Sequence, residues 1–394
     1  MAFGFRQYQY NNVEKDMTLV NGTHSGHHIT STWAEILRSA SLSLKRLSLK
    51  PLRYGLLGAS ALLCAATAQA SVESMSGLAE GVAVSGEHAY VANGFNGLRV
   101  IDVSHPRNPT VLSNVITPDY ANDVAVSGRY AYVAATGSGL QVIDISKPLA
   151  PVIVGSAATP DVAYAVKVVG DLAYVADGNT GLQIIDVSNP KAPVLAARVN
   201  TPGHAEGVFV AGNYAYVADG PSGLQVIDVS HPNAPALVGS ADTPGFSKDV
   251  AVANGHAYVA DTDSMQVIDV SNPKAPKIQG WLTSLHDAVG VATKGHYVLV
   301  ANRIGQGMSN NTAGTIGPDI GNGMVQVIDV SNAAEPVAAG FVEMQGDARR
   351  VAVAGDHAYV TQGISGMQVV DIHDPTAPMQ VPGYEPYPPC CRHF

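Results

Sequence analysis

Hydrophobic residues between positions 78 and 384 fall in short runs, each closed off by glycine, proline, asparagine or serine. The first four runs are 80–85, 89–93, 98–103 and 110–116. Between them lie Gly86-Glu87, a turn over 94–97 and a proline-bounded turn over 104–109. Runs of this length, rich in Val, Ile and Tyr, read as β-strands, and loops this short join antiparallel neighbours. Both faces of each run are apolar, as with Leu98 and Val100 on one side and Ile101 and Val103 on the other. A sheet patterned this way is covered on both sides. A sheet with one wet face would alternate more cleanly.

The order of runs repeats along the chain. Gly-Leu-Arg-Val-Ile-Asp ends at Asp102, and its echoes end at Asp144, Asp186, Asp228, Asp269, Asp329 and Asp371. The steps are 42, 42, 42, 41, 60 and 42 residues. Tyr90, Tyr132, Tyr174, Tyr216, Tyr258 and Tyr359 form a second landmark, with Leu299 in the remaining copy. The long step is an insertion at about 304–321, in the sixth copy. Four antiparallel strands in some 42 residues make a propeller blade. Seven copies predict an all-β, seven-bladed propeller over 71–384, closed into a ring because each blade covers its faces only against neighbours. A parallel β-helix is the rival fold, disfavoured by the hairpin turns. No strand exchange is visible at the seam. The outer strand of blade 7 is expected over 379–384, weakened by Pro382.

Gly-Leu-Arg/Gln-Val-Ile-Asp followed by Val-Ser-x-Pro-x-x-Pro resembles the LVIVD-repeat family of β-propellers across residues 78–378. The resemblance implies an exported or cell-surface bacterial propeller and supplies no catalytic motif to carry over.

The repeat is its own control. A position alike in every copy serves the blade, and one that differs copy by copy is free to build a single asymmetric site. The seven aspartates ending the third strand belong to the first kind, because a carboxylate there can accept backbone N–H bonds of the following turn. The mid-strand glutamines (Gln141, Gln183, Gln225, Gln266, Gln326, Gln368) read the same way. At the start of each first strand stands a small residue: Ala79, Ala121, Ala163, Ala205, Ser247, Ala288 and Ala348. Its size is expected to let the inner strands crowd the axis. The flanking columns vary. Before it come Leu78, Tyr120, Val162, His204, Phe246, Asp287 and Asp347. After it come Glu80, Asn122, Tyr164, Glu206, Lys248, Val289 and Arg349. A concave channel mouth bearing such polar groups is the expected binding site. The candidate ligand-binding residues are Glu80, Tyr120, Asn122, Tyr164, His204, Glu206, Lys248, His286, Asp287, Asp347 and Arg349. The Gly- and Asn-rich insertion is expected on the same face, as a partial lid.

Composition narrows the function classes. The chain has 394 residues, 46% hydrophobic and 14% charged, which argues against disorder. Its net charge of -10 argues against a nucleic-acid partner, which needs a basic surface. Lys45, Arg46, Lys50 and Arg53 lead into an apolar run over 55–68, followed by Ala68-Gln69-Ala70. Basic region, short apolar run and small-x-small site describe a secretory signal peptide, so 1–70 is expected to be removed. The run is too short to span a bilayer, although an uncleaved anchor is the rival reading. The expected location is the periplasm, the cell surface or the medium, with no membrane span in the mature chain. The tail 385–394 is Pro- and Cys-rich, and Cys390, Cys391 and His393 are weak candidates for a soft metal. No G-x-S-x-G, H-E-x-x-H, P-loop or EF-hand signature is present. The leading expectation is a binding module for a protein, polar small molecule or saccharide, its cofactor undetermined. The alternatives are a hydrolase or lyase using His204, Glu206, His286 and Asp287, as acid/base pair or metal site, and a structural surface protein. For the last, an apolar patch on the outer strands would be needed, and the pattern there shows none.

Overall fold

The computed structural model describes residues 77–283, 285–304 and 322–381. The signal-peptide, lid and tail readings, including Cys390, Cys391 and His393, lie outside these residues, as does the second half of the stretch 379–384. Seven four-stranded antiparallel sheets follow one another, each built from a consecutive stretch of chain, and no helix occurs among the described residues. In blade 1 the strands are Gly81–Ser85, His88–Ala92, Leu98–Asp102 and Thr110–Val115, from inner to outer. The remaining inner strands are Ala121–Ser127, Ala165–Val169, Gly207–Ala211, Ser247–Ala253, Asp287–Lys294 and Val351–Ala354. Each inner strand touches those of both neighbouring blades, and the last touches the first, which closes the ring. Blade 7 supplies its own outer strand, described over Met379–Gln380, so no strand is exchanged at the seam among the described residues.

The core lies between blades. Tyr90, Leu98 and Val100 of blade 1 pack on Ala131, Val133 and Ile143 of blade 2, and the pattern repeats around the ring to Tyr359 and Met367 of blade 7 against Ala89 and Ile101 of blade 1. Burial on both faces explains the unbroken apolar runs. The outer strands expose apolar side chains after all, among them Val111, Val152, Val194, Val337 and Met379.

The small-residue column joins neighbouring blades. Ala121 forms an isolated β-bridge with Gly94 of the preceding blade, and Ala163, Ala205, Ser247 and Ala288 pair likewise with Thr136, Gly178, Gly220 and Thr262. Ala79 pairs with Gly363, so the same bridge joins the last blade to the first. The six bridging side chains are buried beneath these crossings, where a larger one would push the blades apart, and Ala348 of blade 7 is buried as well.

Each strand-ending aspartate accepts the backbone N–H two residues on, from Ser104 to Asp102 at 2.8 Å through His373 to Asp371 at 3.0 Å. Side-chain and backbone bonds from that residue hold all seven carboxyls below the usual aspartate range, Asp144 at about 2. A depressed carboxylate stabilises the fold above its unfolded pKa, and this is lost as pH falls through the folded value. The urea midpoint is therefore expected to drop between pH 4 and pH 2. A midpoint flat across that range would exclude a stabilising role for these turns.

Candidate functional site

The inner strands enter the ring through a kink. In blades 2, 5 and 6 the pairing register slips between Ala121 and Asp123, Ser247 and Asp249, and Ala288 and Gly290. The extra residue of such a bulge is turned out of the ladder. Asn122, Lys248 and Val289 occupy that position. With Glu80, Tyr164, Glu206 and Arg349, one residue from each blade, they line a single axial cavity of about 300 Å³. Arg303 and Arg350 complete its wall.

The preceding column stands one rank back and ties to the wall. Asp287 accepts from Lys248 and, at 2.6 and 2.9 Å, from Arg303. Arg349 donates to both oxygens of Glu80 at 2.6 Å, with Asp347 3.8 Å away. Tyr120 also donates to Glu80; burial first, then this bond, pushes the Tyr120 phenol up. His204 Nδ1 lies 3.0 Å from Glu206, and the His204 ring meets Tyr164 edge-on at 5.1 Å. His286 is exposed and off the wall. The set His204, Glu206, His286 and Asp287 does not assemble: Asp287 is held by two cations, and no metal-holding group of three or more His, Cys, Asp or Glu occurs among the described residues. Glu206 faces the cavity with His204 behind it, which reverses the usual order of a base and its orienting carboxylate.

One position further along the inner strand lies a second ring: Gly81, Asp123, Ala165, Gly207, Asp249, Gly290 and Arg350. Arg350 is paired with Asp249 at 2.8 Å. Burial pulls its guanidinium pKa down, and Asp249, followed by Asp123, more than restores it. Asp123 and Asp249 also accept the backbone N–H of Val166 and Val291 in the next blade, each at 3.0 Å. A Cβ at Gly81 or Gly207 would come within 2.6 or 2.8 Å of Asp123 or Asp249 Cα, and one at Gly290 within 3.0 Å of Arg350 Cα. Three glycines thus admit three charged neighbours. Arg350 belongs both to the axial cavity and to a second one of about 280 Å³ further along the channel.

Three groups have no counterpart among the predicted candidates. Arg350, Asp123 and Asp249 were hidden by lying inside an apolar strand. Their signal is a charge in a column otherwise held by Gly or Ala. Arg303 lies at the far end of its strand beside the insertion. A third column, Asp177, Asp219 and Asp261, is buried and stands at or just past the ends of the second strands. Thr201 Oγ1 and Gly203 N donate to Asp219 at 2.5 and 2.8 Å, docking the linker between blades, and burial raises its carboxyl. A larger cavity of about 570 Å³ lies on blade 5, where the second turn is one residue short. Trp281, Ile278 and Leu285 are on its wall, and none of the variable inner-strand residues is.

These features define a class: a seven-bladed β-propeller with an asymmetric polar cavity on its axis. The chain belongs to the LVIVD-repeat family. The LVIVD repeat matches residues 76–117, 118–159, 162–201, 202–243, 244–283 and 345–385. The unmatched stretch is blade 6, which carries the insertion and has Leu299 in place of the tyrosine. No curated protein matches the sequence. Among solved structures, the chain is similar to the WD40 β-propeller domain of Doa1, with 8% identity over 77% of this chain and 95% of that one and a TM-score of 0.58. It is also similar to the Cps50 (Swd1) β-propeller domain of Myceliophteria thermophila, with 12% identity, 73% and 93% coverage and a TM-score of 0.56. For BamB from Moraxella catarrhalis the values are 14%, 73% and 80%, and 0.50. At such identities the likeness is one of fold.

Proposed function

We propose that this protein is an exported binding propeller that takes a small polar ligand in its axial cavity. One observation carries the reading. Seven positions, one per blade, converge on one cavity, and they form one of the columns at which the repeats disagree. Columns that serve the scaffold are uniform, so a divergent column that lines one shared wall marks positions released from the scaffold for another use. The volume of about 300 Å³ sits at the small end of the range for ligand sites. Export rests on the basic, apolar and small-x-small order over 45–70, and places the ligand outside the cytoplasm.

A thermal-shift screen of the full chain tests the site, with Glu206→Ala and Arg349→Ala run beside it. A ligand at 100 times its Kd stabilises the native state by about 2.7 kcal/mol. At least one polar small molecule is expected to raise the wild-type midpoint and to lose most of that shift in both variants. Equal shifts in wild type and variants would place binding elsewhere.

A further inference from the structure

Resting on the axial cavity as the ligand site, we infer that its ligand is a zwitterion of α-amino-acid size, its carboxylate held by Lys248 and Arg303 and its ammonium by Glu206. The inference comes from how the charges on the wall are paired. Arg349 has Glu80, which takes both of its bonds, and Arg350 has Asp249. These two cations are matched. Among the described residues, Lys248 and Arg303 share one carboxylate, Asp287, and it sits behind them, off the cavity wall. Two cations over one anion leave a positive excess on the wall at blades 5 and 6. Glu206 is the converse. Its bonding partner is the imidazole of His204, which carries a charge only when doubly protonated; among the described residues no guanidinium or ammonium hydrogen-bonds to it, and Arg350 attracts it only from beyond bonding distance. That leaves a negative excess on blade 4.

The two excesses are neighbours in the ring, because Glu206 and Lys248 occupy the same position of adjacent blades. An ammonium and a carboxylate one carbon apart match adjacent sites of opposite sign. A simple carboxylate would satisfy Lys248 and Arg303 while leaving Glu206 facing it. A simple amine would do the reverse. Each desolvated charge left without a partner opposes binding. Partly buried pairs also strengthen attraction relative to water. The rest of the wall offers Asn122, Tyr164 and Val289, uncharged groups against which an amino-acid side chain can lie.

Calorimetric titration of the full chain with L-alanine, propionate, n-propylamine and D-glucose tests this. Alanine is expected to bind at least tenfold more tightly than propionate or propylamine. Glu206→Gln should abolish the preference over propionate, and Lys248→Met the preference over propylamine. Asp287→Asn should raise propionate affinity, because it releases both cations; this variant keeps the test alive should Glu206→Gln fail to fold. Propionate binding as tightly as alanine would overturn the zwitterion and leave an anion site. Glucose binding alone, lost in Arg349→Ala, would overturn it while leaving the axial cavity as the site. Binding of none of the four would overturn the zwitterion and count against the cavity as well.

Discussion

Arg350→Met is expected to destabilise the propeller by about 3–5 kcal/mol, the cost of breaking a buried ion pair by removing one partner. The Arg350 side chain is 20% exposed and Asp249 15%. Asp249 and Asp123 line one cavity with Arg350, so without the guanidinium Asp249 loses its ion-pair partner and keeps a like charge on the same wall. The remaining hydrogen bonds to Asp249 come from Val250 and Val291 backbone N–H groups, which do not neutralise it. The double variant Arg350→Met/Asp249→Asn should recover at least half the loss, because replacing a whole pair costs less than stranding one member. Urea denaturation of both variants reads the result. A single variant as stable as wild type would show that the pair contributes nothing. Equal losses in single and double variants would trace the effect to packing of the side chain instead.

The second large effect is expected at a turn glycine. Gly181 has φ of +74°, and a Cβ there would meet Val199 O at 2.3 Å and Thr201 N at 2.6 Å, backbone atoms at the end of the outer strand and the start of the linker that follows it. Gly181→Ala is expected to cost roughly 1–2 kcal/mol for the left-handed conformation. The collision adds about 1–3 kcal/mol, typical of overpacking. Gly97, Gly139 and Gly223 repeat the geometry in other blades. Blade 5 is the natural exception: its turn is one residue shorter, and Ser264 holds the equivalent place without a positive φ. Ser264→Gly should therefore change the midpoint by much less than Gly181→Ala. Similar losses at both positions would mean that backbone conformation does not decide the matter.

The blade is legible in the sequence because its causes are local and repeated seven times. Turn glycines, the aspartate before Ser-x-Pro and two-sided apolar runs each act within a few residues, and each recurs in register. The cavity wall is legible for the related reason that copies can be aligned against one another, which isolates Glu80, Asn122, Tyr164, Glu206, Lys248, Val289 and Arg349 as a variable column. What the alignment misses depends on distances between blades. Asp287 and Lys248 belong to different columns and different blades, yet they form one ion pair. Arg303 joins them from the end of a neighbouring strand. The bridge between Ala121 and Gly94 is likewise a contact between repeats, so smallness at Ala121 could be seen while its reason could not. His286 stands next to Asp287 in sequence, but alternation along the chain sends it outward.

Because blade 7 supplies its own outer strand, no exchanged strand among the described residues latches the first blade to the last. Beyond apolar packing, that junction is crossed by the bridge between Ala79 and Gly363, by Thr361 Oγ1 donating to Glu80 O at 2.7 Å, and by Arg349 on the Glu80 carboxylate. Glu80 and Arg349 also face the cavity. A molecule seated there touches both sides of the one joint with no covalent continuity and acts as its rivet. Since every blade is a contiguous stretch, circular permutation between any two blades would keep all seven sheets whole and simply move the unriveted joint to another place on the circumference.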